Sequence, residues 1–248
     1  MRTITILLSV VLWVSAAFGA EGTFPVEDGF LSVDLDRFTQ KASVEHGVDL
    51  AYEPAGTIER LTKYNKIMVD QPEIWLDKDS EYRGMKPDNA KAIADMIRER
   101  VTENVTNRGY EVVVEPGPDV LYMRLALTDL YLKKKKRGIT SFTPVGAALH
   151  AGGQVLKDMM SKVDIIEMAL QAELLDSQSE EVLAAMVVKR GARKDKETGQ
   201  KLKRMDFDEF RAVLQEYGAR FACRLENAKR PESQQIDCMD EKALEAAR

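Results

Sequence analysis

Val120-Leu121-Tyr122-Met123-Arg124-Leu125-Ala126-Leu127-Thr128-Asp129-Leu130-Tyr131-Leu132 decides the fold class. Leu121, Met123, Leu125 and Leu127 alternate with Tyr122, Arg124, Ala126 and Thr128, the period of two of a strand with one face on a core. The run therefore predicts a sheet, and the segment before it predicts what packs on that sheet. Ile93, Ile97, Val101 and Val105 recur every fourth residue, with Ala90 and Ala94 beside them. Lys91, Asp95, Arg98, Glu99 and Glu103 take the opposite side, so this is a helix with one apolar face. Pro87-Asp88 suits its start and Gly109 its end.

Further strands read outward from this pair. Tyr64–Val69 is a β-type run continuing to Trp75-Leu76, and Tyr110–Val114 is β-branched. Ile166, Met168, Leu170, Ala172 and Leu174 alternate with Glu167, Gln171 and Glu173. The polar turn Asp176–Glu180 then returns the chain through Val182–Lys189 as a hairpin. Asp206–Asn227 is a second amphipathic helix, with Phe207, Phe210, Leu214, Tyr217, Phe221 and Leu225 on one stripe. Its acidic start suits the positive end of the helix dipole.

The order predicts an α/β (α+β) fold: a two-layer sandwich, an about five-stranded mixed sheet carrying two amphipathic helices on one face. The first strand–helix–strand unit suits a parallel crossover. Residues 57–228 form the sandwich domain and residues 229–248 a C-terminal tail. Residues 21–56, punctuated by Gly and Pro, read as an extended N-terminal arm with one short strand around Val48–Tyr52.

The start of the chain indicates an address. Arg2, the apolar run Ile4–Trp13 and the small residues Ser15-Ala16-Ala17 and Gly19-Ala20 make residues 1–20 a secretory signal peptide. The apolar run falls short of the ~20 residues that span a bilayer. Cleavage would leave 228 of the 248 residues and remove one of the 36 basic side chains, Arg2. The balance of 35 basic against 41 acidic residues, a net charge of −6, argues against nucleic acid as a partner. The expected address is outside the bacterial cytoplasm or in a secretory pathway. In such an oxidising compartment the two cysteines, Cys223 and Cys238, are expected to pair, tying the tail to the last helix. The helical stripe places Cys223 on the polar side of that helix.

Catalytic patterns are scarce. His46 and His150 lie far apart, and there is no Gly-x-Ser-x-Gly elbow, phosphate-binding Gly-rich loop or His-Glu-x-x-His helix. No catalytic, cofactor or metal residue is nominated. Glu167 and Glu173 share a strand face, which alternation assigns to solvent. The basic run Lys133, Lys134, Lys135, Lys136 and Arg137 suits a peripheral contact with an anionic membrane or a solvated strand end. The small-residue stretch Gly146–Val155 suits a mobile loop or a close contact with a partner. Tyr122 and Arg124 on the exposed strand face suggest a contact surface. Asn104-Val105-Thr106 matches a glycosylation site formally, but it falls inside the first helix.

Several segments together carry a resemblance: Gly29-Phe30-Leu31-Ser32, Tyr64–Asp70 leading into Trp75-Leu76-Asp77, Pro116–Leu121, Leu125–Asp129 and Glu173–Gln178. In that order and spacing, over about Gly29 to Leu225, the chain resembles domain-of-unknown-function family 3313. The resemblance implies an exported bacterial envelope protein in the periplasm with no established activity, and it carries no functional residues across. Family members often bear a lipid-anchoring cysteine at the cleavage site, where this chain has Ala20-Glu21. They commonly have Thr-Gly at the hairpin turn, where it has Ser179-Glu180. The leading expectation is a non-enzymatic interaction module of an envelope complex, its partner an envelope protein or cell-wall component. The alternative is a periplasmic protein binding a small molecule or lipid in a pocket between sheet and helices.

Overall fold

The long strand around Leu125 is the centre of one sheet of eight strands, where about five were expected. The computed structural model describes residues 26–27, 29–41, 48–135, 156–159, 161–191 and 205–240. The signal segment, His46, His150, Lys136, Arg137, the stretch Gly146–Val155 and the last residues of the tail lie outside the described residues. In chain order the strands are β1 (Thr39–Gln40), β2 (Leu50–Tyr52), β3 (Lys66–Val69), β4 (Glu73–Leu76), β5 (Glu111–Val112), β6 (Val120–Lys134), β7 (Val163–Asp176) and β8 (Val182–Gly191). The helices are α1 (Thr57–Leu61), α2 (Pro87–Asn107) and α3 (Phe207–Asn227). The sheet runs β1-β2-β8-β7-β6-β3-β5, with β4 also beside β6.

The extra strands are short pieces that sequence periodicity cannot separate. The run from Tyr64 to Leu76 divides into β3 and β4, both parallel to β6 and laid end to end along its edge. Asp70-Gln71-Pro72 interrupts them, and Pro72 has no N–H to offer the ladder. β3 also pairs in parallel with β5, the strand that follows α2.

Along β6, Leu121, Met123, Leu125 and Leu127 face the helices, and so do Leu130 and Leu132. The phase shifts because a bulge between Thr128 and Tyr131 adds a residue, with Asp129 at φ 51. α2 contributes Ile93, Ile97, Val101 and Val105 to the same core, and Gly109 ends it at φ +82.

α3 begins with a capping box: Glu209 N–H donates to Asp206 Oδ1 at 2.9 Å, and Asp206 N–H donates to Glu209 Oε2 at 3.0 Å. This helix is apolar on more than the expected stripe. Phe210, Leu214, Tyr217 and Leu225 are buried, and so are Gly218, Ala219, Ala222 and Cys223. Gly218 permits the close crossing with α2, since a Cβ there would stand 2.8 Å from Asn104 Nδ2. Asn104 is itself buried at 6% exposure, which removes it as a glycan acceptor.

Cys223 and Cys238 are joined in a disulfide across 15 residues of sequence. Cys223 lies on a buried side of α3, contrary to the expected polar side. The tail folds back over it, and Asn227 exchanges two hydrogen bonds with the Ile236 backbone, at 2.7 and 2.9 Å. A loop of this length stabilises by about 3 kcal/mol in the chain-entropy model.

The largest departure concerns the second face of the sheet. Alternation assigns Glu167 and Glu173 to solvent, yet they are 7% and 0% exposed, and Gln171 between them is 0% exposed. The N-terminal arm covers this face as a third layer. Phe30 and Val33 are buried, and Phe30 meets Trp75 edge-on at 6.5 Å. Ser32 donates to the Glu173 carboxylate from its N–H (2.5 Å) and its hydroxyl (2.9 Å). Arg124 Nη1 lies 2.7 Å from the same carboxylate, and its guanidinium stacks 4.7 Å from the Phe30 ring centre. Gln171 Nε2 donates to Glu27 O and Thr128 Oγ1. Tyr122 and Arg124 therefore do not form an exposed contact surface. Arg124 holds the chain's own arm, and the Tyr122 hydroxyl donates to Asp70 at 2.6 Å.

Candidate functional site

Between α3 and the helix-facing side of β7 and β8 the core is not filled. Small residues are the cause: Ala172 sits opposite Met186, and Ala184 opposite Leu174, in the β7–β8 register. A leucine at either alanine would reach toward α3, but the methyl groups stop short. The result is a cleft of about 110 Å³, open at one side. That is somewhat below the roughly 150 Å³ that accepts a benzene ring. It has room for the end of one slender chain.

α3 presents five residues to the cleft, at the i, i+3, i+4, i+7, i+8 spacing of one helix face: Tyr217, Arg220, Phe221, Arg224 and Leu225. α1 forms the opposite rim. Thr57 anchors it by donating to Pro54 O at 2.7 Å and to Leu183 O at 3.0 Å, which leaves Ile58 at the mouth, 55% exposed.

The polar groups are few and uneven. Arg220 reaches Glu216 Oε1 at 2.5 Å through Nη2, while its Nε is buried with no partner among the described residues. The Tyr217 hydroxyl is likewise buried and without a partner among the described residues, though the Arg190 guanidinium stacks 5.1 Å from its ring centre. Burial pulls Arg224 below the ordinary arginine pKa, and Glu53 opposes the shift. Glu53, the one carboxylate in the lining among the described residues, is 3.3 Å from Lys41. The arrangement offers apolar burial with hydrogen-bond donors at its edge.

A pocket between sheet and helices is the expected form, and the cleft lies there, under α1 and α3; the stretch Gly146–Val155 lies outside the described residues. The apolar stripe does not single out the two arginines. The available signal was their spacing, since Arg220 and Arg224 each follow an aromatic of the apolar stripe by three residues.

The basic run turns out to be partly neutralised: Lys133 Nζ is 2.6 Å from Glu81 and Lys135 Nζ is 3.7 Å from Asp164. Among the described residues no group of three His, Cys, Asp or Glu side chains could hold a metal ion. Among them, too, no helix is long and apolar enough to cross a membrane.

The model of the protein-of-unknown-function family 3313 matches residues 27–221, the arm through most of α3. The chain belongs to that family. The matched span takes in the Ser32–Glu173–Arg124 contact and the cleft up to Phe221. No curated protein matches the chain. Among solved structures it is similar to the PelC dodecamer from Paraburkholderia phytofirmans, at 10% identity and a TM-score of 0.35, over 66% of this chain and 89% of that one. It is also similar to a neuraminyllactose-binding hemagglutinin homolog from Helicobacter pylori, at 12% identity and a TM-score of 0.30, over 75% and 88%. Likeness at that level carries no argument about this family member.

Proposed function

We propose that this protein is exported to the bacterial envelope and there binds a small apolar or lipidic ligand. The cleft beneath α3 carries the reading: a preformed apolar recess with a few polar groups at its rim is the common form of a small-ligand site. Export is supported by the leader-like residues 1–20 and by the Cys223–Cys238 disulfide, a bond that persists in oxidising compartments. Native mass spectrometry of protein purified from its host tests the binding. A reproducible co-bound mass supports it. Repeated clean apo spectra, with no uptake of an apolar fluorescent probe, reject it.

A second reading, an interaction module with an envelope protein or cell-wall partner, is favoured by one edge of the sheet. β5 is the outermost strand there, and Val114 just beyond it is 80% exposed. An uncovered edge can accept a partner's strand. Crosslinking in the envelope followed by affinity purification tests this, and a Val114→Lys variant is expected to lose the partner. Membrane attachment through Lys133–Arg137 has less support, because Glu81 and Asp164 already balance two of those lysines.

A further inference from the structure

The two edges of the sheet are finished differently. β1 is two polar residues, Thr39 and Gln40, with Lys41 directly after them. Polar residues and a lysine protect an edge against pairing with other chains. β5 has no such protection. Glu111 N–H and Val113 N–H donate to Asn65 O and Ile67 O of the neighbouring strand, at 3.2 and 3.0 Å. Val112 lies between them. Successive residues of a strand direct their backbone groups to opposite sides, so the Val112 N–H and C=O point to the open edge. Its side chain rests against the core, while Val114 is the most exposed large apolar side chain among the described residues.

Two carboxylates bracket these valines. Glu111 and Glu115 are exposed and make no ion pair among the described residues. Lys66, opposite Glu111 in the register, is already held by Asp119 at 3.4 Å. The loop beyond is pinned to the β7–β8 turn: Gly117 N–H donates to Ser177 Oγ and the Ser177 hydroxyl donates to Gly117 O, both at 3.0 Å. An edge fixed in this way loses little freedom when a further strand pairs with it.

We infer that β5 accepts, by strand addition, an extended segment of a partner protein in which a short apolar run is bracketed by Lys or Arg. This rests on the interaction-module reading above and adds the sequence chemistry of the partner. Each part of the edge selects one part of that segment: the Val112 backbone an extended chain, Val112 and Val114 its apolar run, and Glu111 and Glu115 its flanking cations.

The test is an amide NMR titration of the disulfide-intact chain from residue 21 with two synthetic peptides, each a Val-Thr-Val core flanked on both sides by lysine in one and by glutamate in the other. The lysine peptide is expected to shift the Val112 and Val114 amides and to bind about tenfold tighter than the glutamate peptide, which sets like charges opposite each other. The double variant Glu111→Lys/Glu115→Lys is expected to reverse that preference, and because both positions are exposed it should fold as the parent does. An N-methylated lysine peptide keeps its charges but loses its strand N–H groups, and it is expected not to bind. Equal binding of the two peptides, or a preference that the double variant retains, overturns the bracketing cations and leaves the edge reading standing. Binding that survives N-methylation, or shifts confined to other residues, overturns strand addition. If neither peptide binds at millimolar concentration, the inference falls and the edge reading falls with it.

Discussion

Arg124→Met should destabilise this protein more than Glu173→Gln, although each change breaks the same ion pair. The asymmetry follows from burial: the Glu173 side chain is fully enclosed, whereas that of Arg124 is 25% exposed. Removing Arg124 leaves a buried carboxylate with only the two Ser32 donors, a situation that costs about 3–5 kcal/mol. Loss of the stacking on Phe30 adds roughly 0.5–1 kcal/mol. Replacing Glu173 with Gln leaves a cation that can turn toward water, and the expected cost is about 1–2 kcal/mol. Adding Glu173→Gln to Arg124→Met should therefore stabilise, by about 2 kcal/mol, because it discharges the stranded carboxylate. Urea unfolding is the assay. Trp75 is the one tryptophan of the chain from residue 21, and it packs on Phe30 of the arm, so its fluorescence reports on the layer in question. If Glu173→Gln costs the same with and without Arg124, the two residues are not coupled and the reasoning is wrong.

Stability should be flat through the neutral range and fall at both ends. Asp176 is pulled down to about 2, chiefly by the Tyr64 hydroxyl and then by the Ser179 and Gln178 N–H groups. Its contribution, about 2 kcal/mol, is present above the unfolded value near 4 and disappears as pH falls toward 2. Tyr110 and Tyr122 are pushed up to about 12, by burial first, so their contribution is full below pH ~10 and lost between there and 12. Asp176→Asn should flatten the acid limb and Tyr122→Phe the alkaline one in unfolding curves taken across pH; unchanged limbs count against the assignment. Gly218→Ala should destabilise by about 1–2 kcal/mol, because the new methyl displaces Asn104 from its bond to Arg100 O. In an Asn104→Ala background the same change should stabilise by about 1 kcal/mol through helix propensity, and thermal melts of the four variants decide it. Glu180 holds a left-handed conformation at φ 57 in the β7–β8 turn, so Glu180→Gly should raise stability by about 1 kcal/mol in the same melts, and a loss would show that its side chain is needed there.

The core of the sandwich was legible because its elements are long and one-sided. The fourfold recurrence in α2 and the alternation in β6 each have a single interpretation. The shift in phase from Leu127 to Leu130 was not read from the alternation, and it is the Asp129 bulge. The covered face of β7 was not legible, because alternation separates two faces but does not distinguish water from a buried polar clamp. Phe30 and Val33, which bring the arm onto that face, are single apolar residues in an aperiodic segment. Cys223 was misplaced because α3 carries a second apolar line, Gly218-Ala219-Ala222-Cys223, which a one-stripe reading assigns to solvent. The lining of the cleft was not legible, since an unfilled space depends on which alanines meet across strands.

The arm over β6 and β7 also sets an order of assembly. Ser32 must wait for Glu173, 141 residues further along the chain, and Phe30 for Arg124, 94 residues on. A chain synthesised from its amino end delivers the arm first, long before the surface it covers exists. Until β7 arrives, the arm has nowhere to dock. Once the sheet forms, its uncovered side shows Arg124, Gln171 and Glu173 to water, and these polar groups keep the half-finished protein from adhering to its neighbours. The charged clamp thus serves two stages, as a soluble surface while the chain is incomplete and as a lock when the arm closes.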